Sequence, residues 1–398
     1  MPTAVLPPRR VPAVDDLVAT GRAAGLDAVG VTAAVPFATT RRHLADRKAA
    51  GLHGGMRFTY LHPDRSADPT TALPDARSLV VGARSYRRAL DAPADTALSD
   101  AGRPVARVAR YAWEDHYGPL KAALTAVARQ LKAAGWRARV VADDNALVDR
   151  EAAYRAGLGW YGKNANLLLP GEGSWFVLGS VVTDAPLVRA SEPAAPVPDG
   201  CGTCTRCLDG CPTGAIVAPG VVDARRCLAW LLQVEGPFPR EHREALGDRI
   251  YGCDDCQEVC PPNRRLDRGG AATPAVAAAP AGEGADATVD VLDLLAATDD
   301  VLMARHGRWY IPARQPRYLR RNALVVLGNV GDPADPRVTS ALAEALAAPD
   351  PLIRSHAVWA ARRLGRDDLV GTSGVAQDDD PVVRAEVDAP VDARTATR

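Results

Sequence analysis

The fold turns on one stretch, Cys201-x2-Cys204-x2-Cys207-x3-Cys211-Pro212, answered by Cys227 and then by Cys253-x2-Cys256-x3-Cys260-Pro261. All eight cysteines of the chain lie in it. Two Cys-Pro-terminated runs are the spacing of a two-cluster bacterial ferredoxin, in which the last Cys of each run ligates the other run's cluster. The crossing predicts one 4Fe–4S cluster on Cys201, Cys204, Cys207 and Cys260, and a second on Cys211, Cys227, Cys253 and Cys256. Four disulfides would need an oxidising compartment, and disulfide-rich chains are usually short and secreted. Zinc could use the Cys-x2-Cys pairs, but three close thiols and a Cys-Pro are poor zinc spacing. Two clusters in one small module suit a wire for single electrons.

At 398 residues the chain is too long for a ferredoxin alone and predicts two or three domains. Its hydrophobic fraction of 47% allows a packed core outside the cysteine stretch. No run approaches the roughly 18 apolar residues of a membrane helix. Met1 to Val14 holds no apolar segment long enough for a signal peptide. Reduced thiols and no export signal predict a cytoplasmic protein off the membrane, expected as a monomer. Formal net charge is zero, which argues against a non-specific nucleic-acid binder. Charge is nevertheless segregated: Arg305, His306, Arg308, Arg314, Arg317, Arg320 and Arg321 follow one another without an acid, interleaved with Trp309, Tyr310 and Tyr318. Arginine beside aromatic rings suits phosphates and unstacked bases. The competing reading is that some of these arginines cap helices or pair with acids from elsewhere.

Residues 12–190 read as an α/β domain. A helix is expected over Val14 to Leu26, strands over Ala28 to Val31 and Ser78 to Ala83, and a helix carrying Leu120, Leu124, Val127 and Leu131 on one face up to Gly135. A strand at Arg137 to Ala142, a helix at Ala146 to Ala156 and a strand at Trp175 to Thr183 follow. Ala190 to Gly200 reads as a linker into the ferredoxin-like module at 200–263, and about Gly269 to Ala287 as a second linker. Beyond it, residues 290–388 turn helical and repetitive. Arg320-Arg321-Asn322-Ala323 recurs as Arg354-Ser355-His356-Ala357, with helices ending at Gly328 and Gly365. Asp350-Pro351-x2-Arg354 recurs as Asp380-Pro381-x2-Arg384. Such spacing indicates HEAT-like helical pairs, whose stacks offer an elongated surface; an all-helical cap on the module is the alternative. The tail after Val387 reads as disordered.

Gly157-Leu-Gly159-Trp-Tyr-Gly162-Lys163-Asn164 satisfies G-x-G-x-x-G and nearly satisfies a P-loop, but Asn164 replaces the Mg²⁺-binding Ser or Thr. A helix rather than a strand precedes it, so it is expected to let backbone approach something bulky, with Lys163 and Asn164 facing that group. Asp143 ends a strand, where a carboxylate can project into a cleft at the sheet's edge. Asp144 would point the other way on extended backbone. A helix N-cap is the bland use of either.

Over roughly residues 14 to 365 these elements resemble the epoxyqueuosine reductase family, which completes queuosine synthesis in tRNA. The resemblance is carried by Ala156-Gly-Leu-Gly-Trp-Tyr-Gly-Lys-Asn164, Gly173-Ser-Trp-Phe176, Val222-Asp-Ala-Arg-Arg-Cys227, Arg249-Ile-Tyr-Gly-Cys-Asp-Asp-Cys256 and Tyr318-Leu-Arg-Arg-Asn322. It implies a cobalamin in the N-terminal domain, with contacts from Tyr111, Asp143, Lys163, Asn164, Leu167, Leu178 and Asp254, and the cluster module stacked against it. It implies a tRNA anticodon stem-loop as substrate, held by Arg308, Arg314, Arg317, Arg320 and Arg321, and an external electron donor. The family's proton-donating Asp lies seven positions before an Arg, which here corresponds to Asp143 and Arg150. Where the family commonly reads Val-Asp-x-x-Pro-x-x-Glu-Arg, this chain has Ala142, Asp143, Ala146, Asp149 and Arg150; its Asp115-His116-Tyr117 and Ala229-Trp230 also depart. No His has an Asp two residues before it, so the His-ligated cobalamin motif is missing.

The expected whole is an α/β N-terminal domain, a two-cluster ferredoxin-like module and an all-α HEAT-like C-terminal repeat. Electrons pass singly through the clusters to cobalamin, and Asp143, its pKa raised by burial, protonates the departing epoxide oxygen. Two alternatives stand beside it. A cobalamin-dependent reductase of a small organic substrate would have no affinity for RNA. An electron-transfer ferredoxin docking through the helical repeat would have no cleft around Asp143.

Overall fold

The computed structural model describes residues 9–87, 102–189, 191, 193–268 and 287–390. In its N-terminal part α1 (Val14–Ala23), β1 (Ala28–Ala33), α2 (Ala38–Ala49) and β2 (Ser78–Ser85) follow one another. After β3 (Val105–Val108) come α3 (Tyr117–Ala133), β4 (Ala138–Val141), α4 (Asp149–Arg155), the hairpin of β5 (Trp160–Tyr161) and β6 (Leu167–Leu168), and β7 (Phe176–Thr183). The main sheet has the order β1-β2-β7-β4 and is antiparallel throughout. β2 and β7 pair over eight residues, from Ser78 opposite Thr183 to Ser85 opposite Phe176.

Both strands read as continuous apolar runs because both faces of the sheet are covered. Val80, Val177 and Val181 pack on one side beneath α3, whose Leu120, Leu124, Val127 and Leu131 are fully buried at helical spacing. Leu79, Val81, Ala83 and Val182 face the other side, under Ala152 and Ala153 of α4. The helix expected from Ala146 is shorter, beginning at Asp149, because residues 143–148 form a turn.

β3 leaves this sheet. After the hairpin of β8 (Ile216–Ala218) and β9 (Val221–Val222), it pairs in parallel with β10 (Arg249–Tyr251) and antiparallel with β11 (Thr288–Asp290). A strand from the N-terminal region thus lies between strands from the cysteine stretch and from the C-terminal region. Leu231, Phe238, Leu246 and Ile250 share one core with the C-terminal helices α5 (Arg317–Val330), α6 (Pro336–Leu346), α7 (Pro351–Arg363) and α8 (Pro381–Asp388). The Asp-Pro starts behave as the sequence predicts: Asp350 and Asp380 accept the N–H of Leu352 and Val382, and Asp335 does the same for Arg337. Gly365 follows α7 at φ +71°, but α5 does not end at Gly328. A Cβ there would lie 2.6 Å from the Trp359 ring, so this glycine serves the close packing of α5 on α7.

The linker expected at 269–287 lies, apart from Ala287, outside the described residues, as do residues 190 and 192 of the first linker and the tail from 391. Among the described residues no helix is long and apolar enough to cross a membrane.

Candidate active site and cluster ligands

The eight thiols are free and fall into two groups. Burial pushes Cys260 up to about 11, and the thiols that add to it are Cys201, Cys207 and Cys204. Cys256 is raised well above the ordinary thiol value by burial and then by Cys253, Cys227 and Cys211. Cys227 is raised by burial above all, with Cys211 adding. Cys253 is pushed up to about 12 by burial and Asp255, with a smaller contribution from Cys227. Cys260, distant in sequence, therefore sits with Cys201, Cys204 and Cys207, and Cys211 sits with Cys227, Cys253 and Cys256. Four thiolates per group would repel in so desolvated a place unless cationic iron compensated them. The donor sets fit two 4Fe–4S clusters. Among the described residues no three His, Cys, Asp or Glu side chains are grouped around one point as for a single ion.

The glycine-rich segment meets these loops. Its backbone folds into the β5–β6 hairpin, and a Cβ at Gly159 would lie 2.0 Å from the Leu168 carbonyl oxygen. What its backbone approaches at Gly159 is thus its own hairpin partner. Beyond the turn, Lys163 Nζ donates to the carbonyls of Gly202 (2.7 Å) and Cys204 (3.0 Å), and Asn164 Nδ2 donates to that of Cys256 (3.2 Å). One hairpin end thus holds a loop of each thiol group. A buried polar network joins the other side. Asn263 Oδ1 accepts from the Ser174 N–H at 2.8 Å, and its Nδ2 donates to Ser174 Oγ and the Gln257 carbonyl, both at 2.9 Å. Arg110 grips Asp267 through two bonds of 3.1 Å and lies 4.3 Å over the buried Trp175 ring.

Asp143 lies two residues past β4 at φ +52°, in the left-handed region. That turn overturns the extended geometry expected for Asp144, which folds back so that Oδ1 accepts the Ala146 N–H at 2.9 Å. Neither aspartate caps α4, whose N-cap position is Val148. The loop is held from two directions. Asn145 accepts from the Thr59 N–H through Oδ1 (2.8 Å) and from Ser66 Oγ through its carbonyl (2.6 Å). Beneath, Asp149 Oδ2 accepts the Asp143 N–H at 3.3 Å, while its buried Oδ1 has no partner among the described residues. Burial raises the Asp143 carboxyl; Lys121 works against it and Asp144 with it. Burial raises Asp149 well above its ordinary value. Arg150 donates to the Ala165 carbonyl at 3.0 Å.

Tyrosines lie close to this loop and to one another, with the Tyr111 and Tyr251 rings 6.1 Å apart. Burial raises Tyr117, and the charges of Asp143 and Asp149 add to it. Tyr251 is pushed up to about 12 by burial, and Asp143 reaches it too. Tyr111 is raised well above its ordinary value by burial, next to Tyr251 and Asp254. Arg150 reaches Cys227. Asp254, pushed up to about 6 by burial, accepts from the Arg110 N–H (2.7 Å) and Gln257 Nε2 (3.0 Å). Leu167 is buried and Leu178 half-buried in the layer under α4. Of the seven residues expected at a cofactor, Lys163, Asn164 and Asp254 are therefore bonded within or onto the cysteine module, as is Tyr111, whose hydroxyl accepts from Gln233 Nε2 at 3.3 Å; Asp143, Leu167 and Leu178 have not been spent on it.

The basic run divides. Arg314 and Arg317 are exposed, Arg317 near Asp350 (3.4 Å), and Arg320 is half-buried against Asp299 (2.5 Å). Arg308 is exposed but donates to the carbonyls of Ala112 and Trp113. Arg321 corrects the expectation of an RNA contact. It is fully buried and donates to the carbonyls of Leu231, Leu232, Val234 and Gly236. Its neighbours are fixed by chain segments that no local pattern connects.

A double-cluster module docked on an α/β layer, with a charged loop facing one thiol group, defines an iron–sulfur oxidoreductase. Residues 200–263 match the 4Fe-4S double cluster binding domain family. The chain is 35% identical over 350 residues to the epoxyqueuosine reductase of Xanthomonas campestris, covering 86% of this chain and 94% of that one. It superposes with TM-score 0.81 and 30% identity on the crystal structure of an epoxyqueuosine reductase with a tRNA-Tyr epoxyqueuosine-modified stem loop, over 94% of this chain and 96% of that one. The Bacillus subtilis enzyme, solved with its catalytic aspartate loop swung out of the active site, gives 0.79 and 29% over the same shares. The chain belongs to the epoxyqueuosine reductase family.

Two groups of site residues escaped the sequence reading. Asn145, Thr59 and Ser66 fix the Asp143 loop but carry no motif; the cluster Gly51, Gly54 and Gly55 was the available sign of a tight structure there. Ser174, Gln257 and Asn263 lie within or beside segments that carry the resemblance, yet their joint network is visible only in three dimensions.

Proposed function

We propose that the protein removes the epoxide oxygen of epoxyqueuosine at the tRNA wobble position, giving queuosine. The balanced change takes two electrons and two protons: both C–O bonds break, a C=C bond forms and oxygen leaves as water. The observation that carries the reading is that the Asp143 loop and the second thiol group are close enough to act on one another through desolvated side chains: Asp143 raises Tyr117 and Tyr251, and Arg150 acts on Cys227. The crossed thiol groups support two 4Fe–4S clusters, with the second next to the site.

The residues there also fit cobalamin. Tyr111, Leu167 and Leu178 would present a phenol and apolar side chains to a corrin, and Asp143 would supply a carboxyl. When bound, cobalamin supplies a centre that accepts electrons singly and delivers two to carbon. Asp143 holds the proton for the departing oxygen. Burial raises its carboxyl above the ordinary value, which favours the protonated form, and an alkoxide leaves poorly without a positioned acid. Asp149 and Asn145 hold the loop that presents it. Lys163, Asn164 and Asp254 hold the cysteine module against the site. Arg308, Arg314, Arg317 and Arg320 lie on the C-terminal part, where the helices begun by Asp335, Asp350 and Asp380 stack as a HEAT-like surface for the stem-loop. The division into 12–190, 200–263 and 290–388 frames these roles.

The test is Asp143→Asn in single turnover by pre-reduced enzyme on epoxyqueuosine-containing RNA. The rate should fall about 10²–10⁴-fold, with cluster content unchanged. Asp144→Asn, which keeps an acceptor for the Ala146 N–H, should change little. A near wild-type rate for the Asp143 variant would remove it from the chemistry.

A further inference from the structure

The two thiol groups are not equally placed. Cys211, Cys227, Cys253 and Cys256 lie toward the Asp143 loop. Cys201 and Cys204 belong to a loop whose Gly202, Thr203, Thr205 and Arg206 are exposed, and Asp199 to Arg206 together with Pro261 rim an open cavity of 680 Å³. Electrons from outside therefore meet the Cys201 group first.

The surface around that rim is basic in a chain whose formal net charge is zero. The helix Pro261–Arg268 starts at the residue after Cys260. Pro261, Arg264, Arg265 and Arg268 fall on one face of it at i, i+3, i+4 and i+7. All three arginines are exposed, as is Arg206 on the loop itself. Among the described residues none of these four is recorded in an ion pair or side-chain hydrogen bond. The Lys163 ammonium adds charge beneath the loop through its bonds to Gly202 and Cys204. Of the nearby carboxylates, Asp267 is paired with Arg110, while Asp199 and Asp209 accept from the Cys201 N–H and Thr205 Oγ1 and keep their charge, so Arg206, Arg264, Arg265 and Arg268 outnumber them.

We propose that this face, the Cys201–Arg206 loop with Arg264, Arg265 and Arg268, is the docking site of an acidic protein that carries single electrons. Complementary charge speeds and orients encounter between proteins and loses strength as salt rises. A transient, charge-guided contact suits a donor that must dock twice for each epoxide reduced. The proposal rests on the reductive reaction only for that count of electrons. Its test needs no RNA, so its failure and the failure of the proposed reaction are separable.

The holoenzyme with both clusters oxidised is mixed anaerobically with an acidic flavodoxin in its hydroquinone form. Bleaching of the cluster absorbance is followed by stopped flow. Arg265→Glu/Arg268→Glu should lower the second-order rate constant at low salt about tenfold and flatten its salt dependence. Reduction by a small photoreduced deazaflavin should stay unchanged, and Arg42→Glu, on α2, should behave as wild type. An equal rate for the double variant with flavodoxin overturns the proposal. Should the double reversal lower cluster content, Arg268→Gln and the salt response of the wild type decide. A wild-type rate that does not fall between low and physiological salt overturns the proposal as well.

Discussion

Arg321→Met separates a structural arginine from an RNA-binding one. In the native chain the guanidinium is fully buried and lies 5.3 Å from the Tyr318 ring centroid. Nη1 donates to the Val234 and Gly236 carbonyls at 2.7 Å each; Nη2 reaches Leu231 and Leu232 at 3.3 Å and Asn322 Oδ1 at 2.8 Å. Burial pushes its pKa down to about 9, with Tyr318 acting the other way, so it stays charged at neutral pH. Methionine fills much of the volume but leaves the Val234 and Gly236 carbonyls without their guanidinium donor, whereas the Leu232 carbonyl keeps Asn322 Nδ2. An orphaned buried acceptor costs about 1–3 kcal/mol. The two short bonds dominate, which puts the loss at about 3–5 kcal/mol, the range for breaking a buried charged interaction. Arg321→Lys keeps the charge but not the fork and should fall between. Urea unfolding followed by far-UV circular dichroism measures the loss. RNA affinity of the folded variant against salt measures the other role: a lost phosphate contact reduces the log–log slope by about 0.7–0.9. An unaltered unfolding curve with a shallower salt slope would refute the reasoning and return Arg321 to the RNA surface.

Other outcomes follow from the same geometry. Cys260→Ser and Cys201→Ser should each abolish the same electron paramagnetic resonance signal and spare the other. If Cys260→Ser instead removes the signal lost in Cys253→Ser, the crossed ligation is wrong. Arg317→Glu with Arg320→Glu should weaken binding of an anticodon stem-loop most at low salt and leave cluster absorbance intact; unchanged affinity would take both out of the RNA site. His356 should make stability acid-sensitive. Its Nδ1 donates to the Leu352 carbonyl (2.7 Å), and Nε2 accepts the Phe238 N–H (3.1 Å), so the native ring is neutral. Burial and the charge of Arg243 depress its pKa well below the ordinary value. The unfolded chain binds a proton below about pH 6.5 that the native state refuses. The contribution is therefore full above that pH and lost as pH falls below it, by up to about 1.4 kcal/mol per pH unit. The urea midpoint of wild type relative to His356→Gln should drop between pH 7 and 5; parallel curves would show that the ring does not resist protonation.

What the sequence settled by itself is what local spacing can encode. The cysteine runs predict the crossed groups because cluster ligation imposes fixed intervals along the chain, and Cys260 does lie with Cys201, Cys204 and Cys207. Apolar periodicity placed α3, which buries one face at helical spacing, and unbroken apolar runs placed the long strands β2 and β7, which are covered on both faces. The Asp-Pro pairs marked starts of α7 and α8, because capping and the fixed φ of proline act within one turn. Other features depend on partners far along the chain, and only the tertiary structure decided them. Arg321 sits in a run that reads as a nucleic-acid surface, yet carbonyls at 231–236 surround it. Lys163 and Asn164 look poised for a cofactor, yet they are bonded to loops some 40 and 90 residues away. Residues 105–108 fall in the 12–190 stretch read as the N-terminal domain, where no strand is expected, yet they form β3 and pair with β10 and β11. A side chain's sequence declares whether it carries charge, fork or phenol, but which unsatisfied group it meets is fixed by how distant segments pack, and no local period records that.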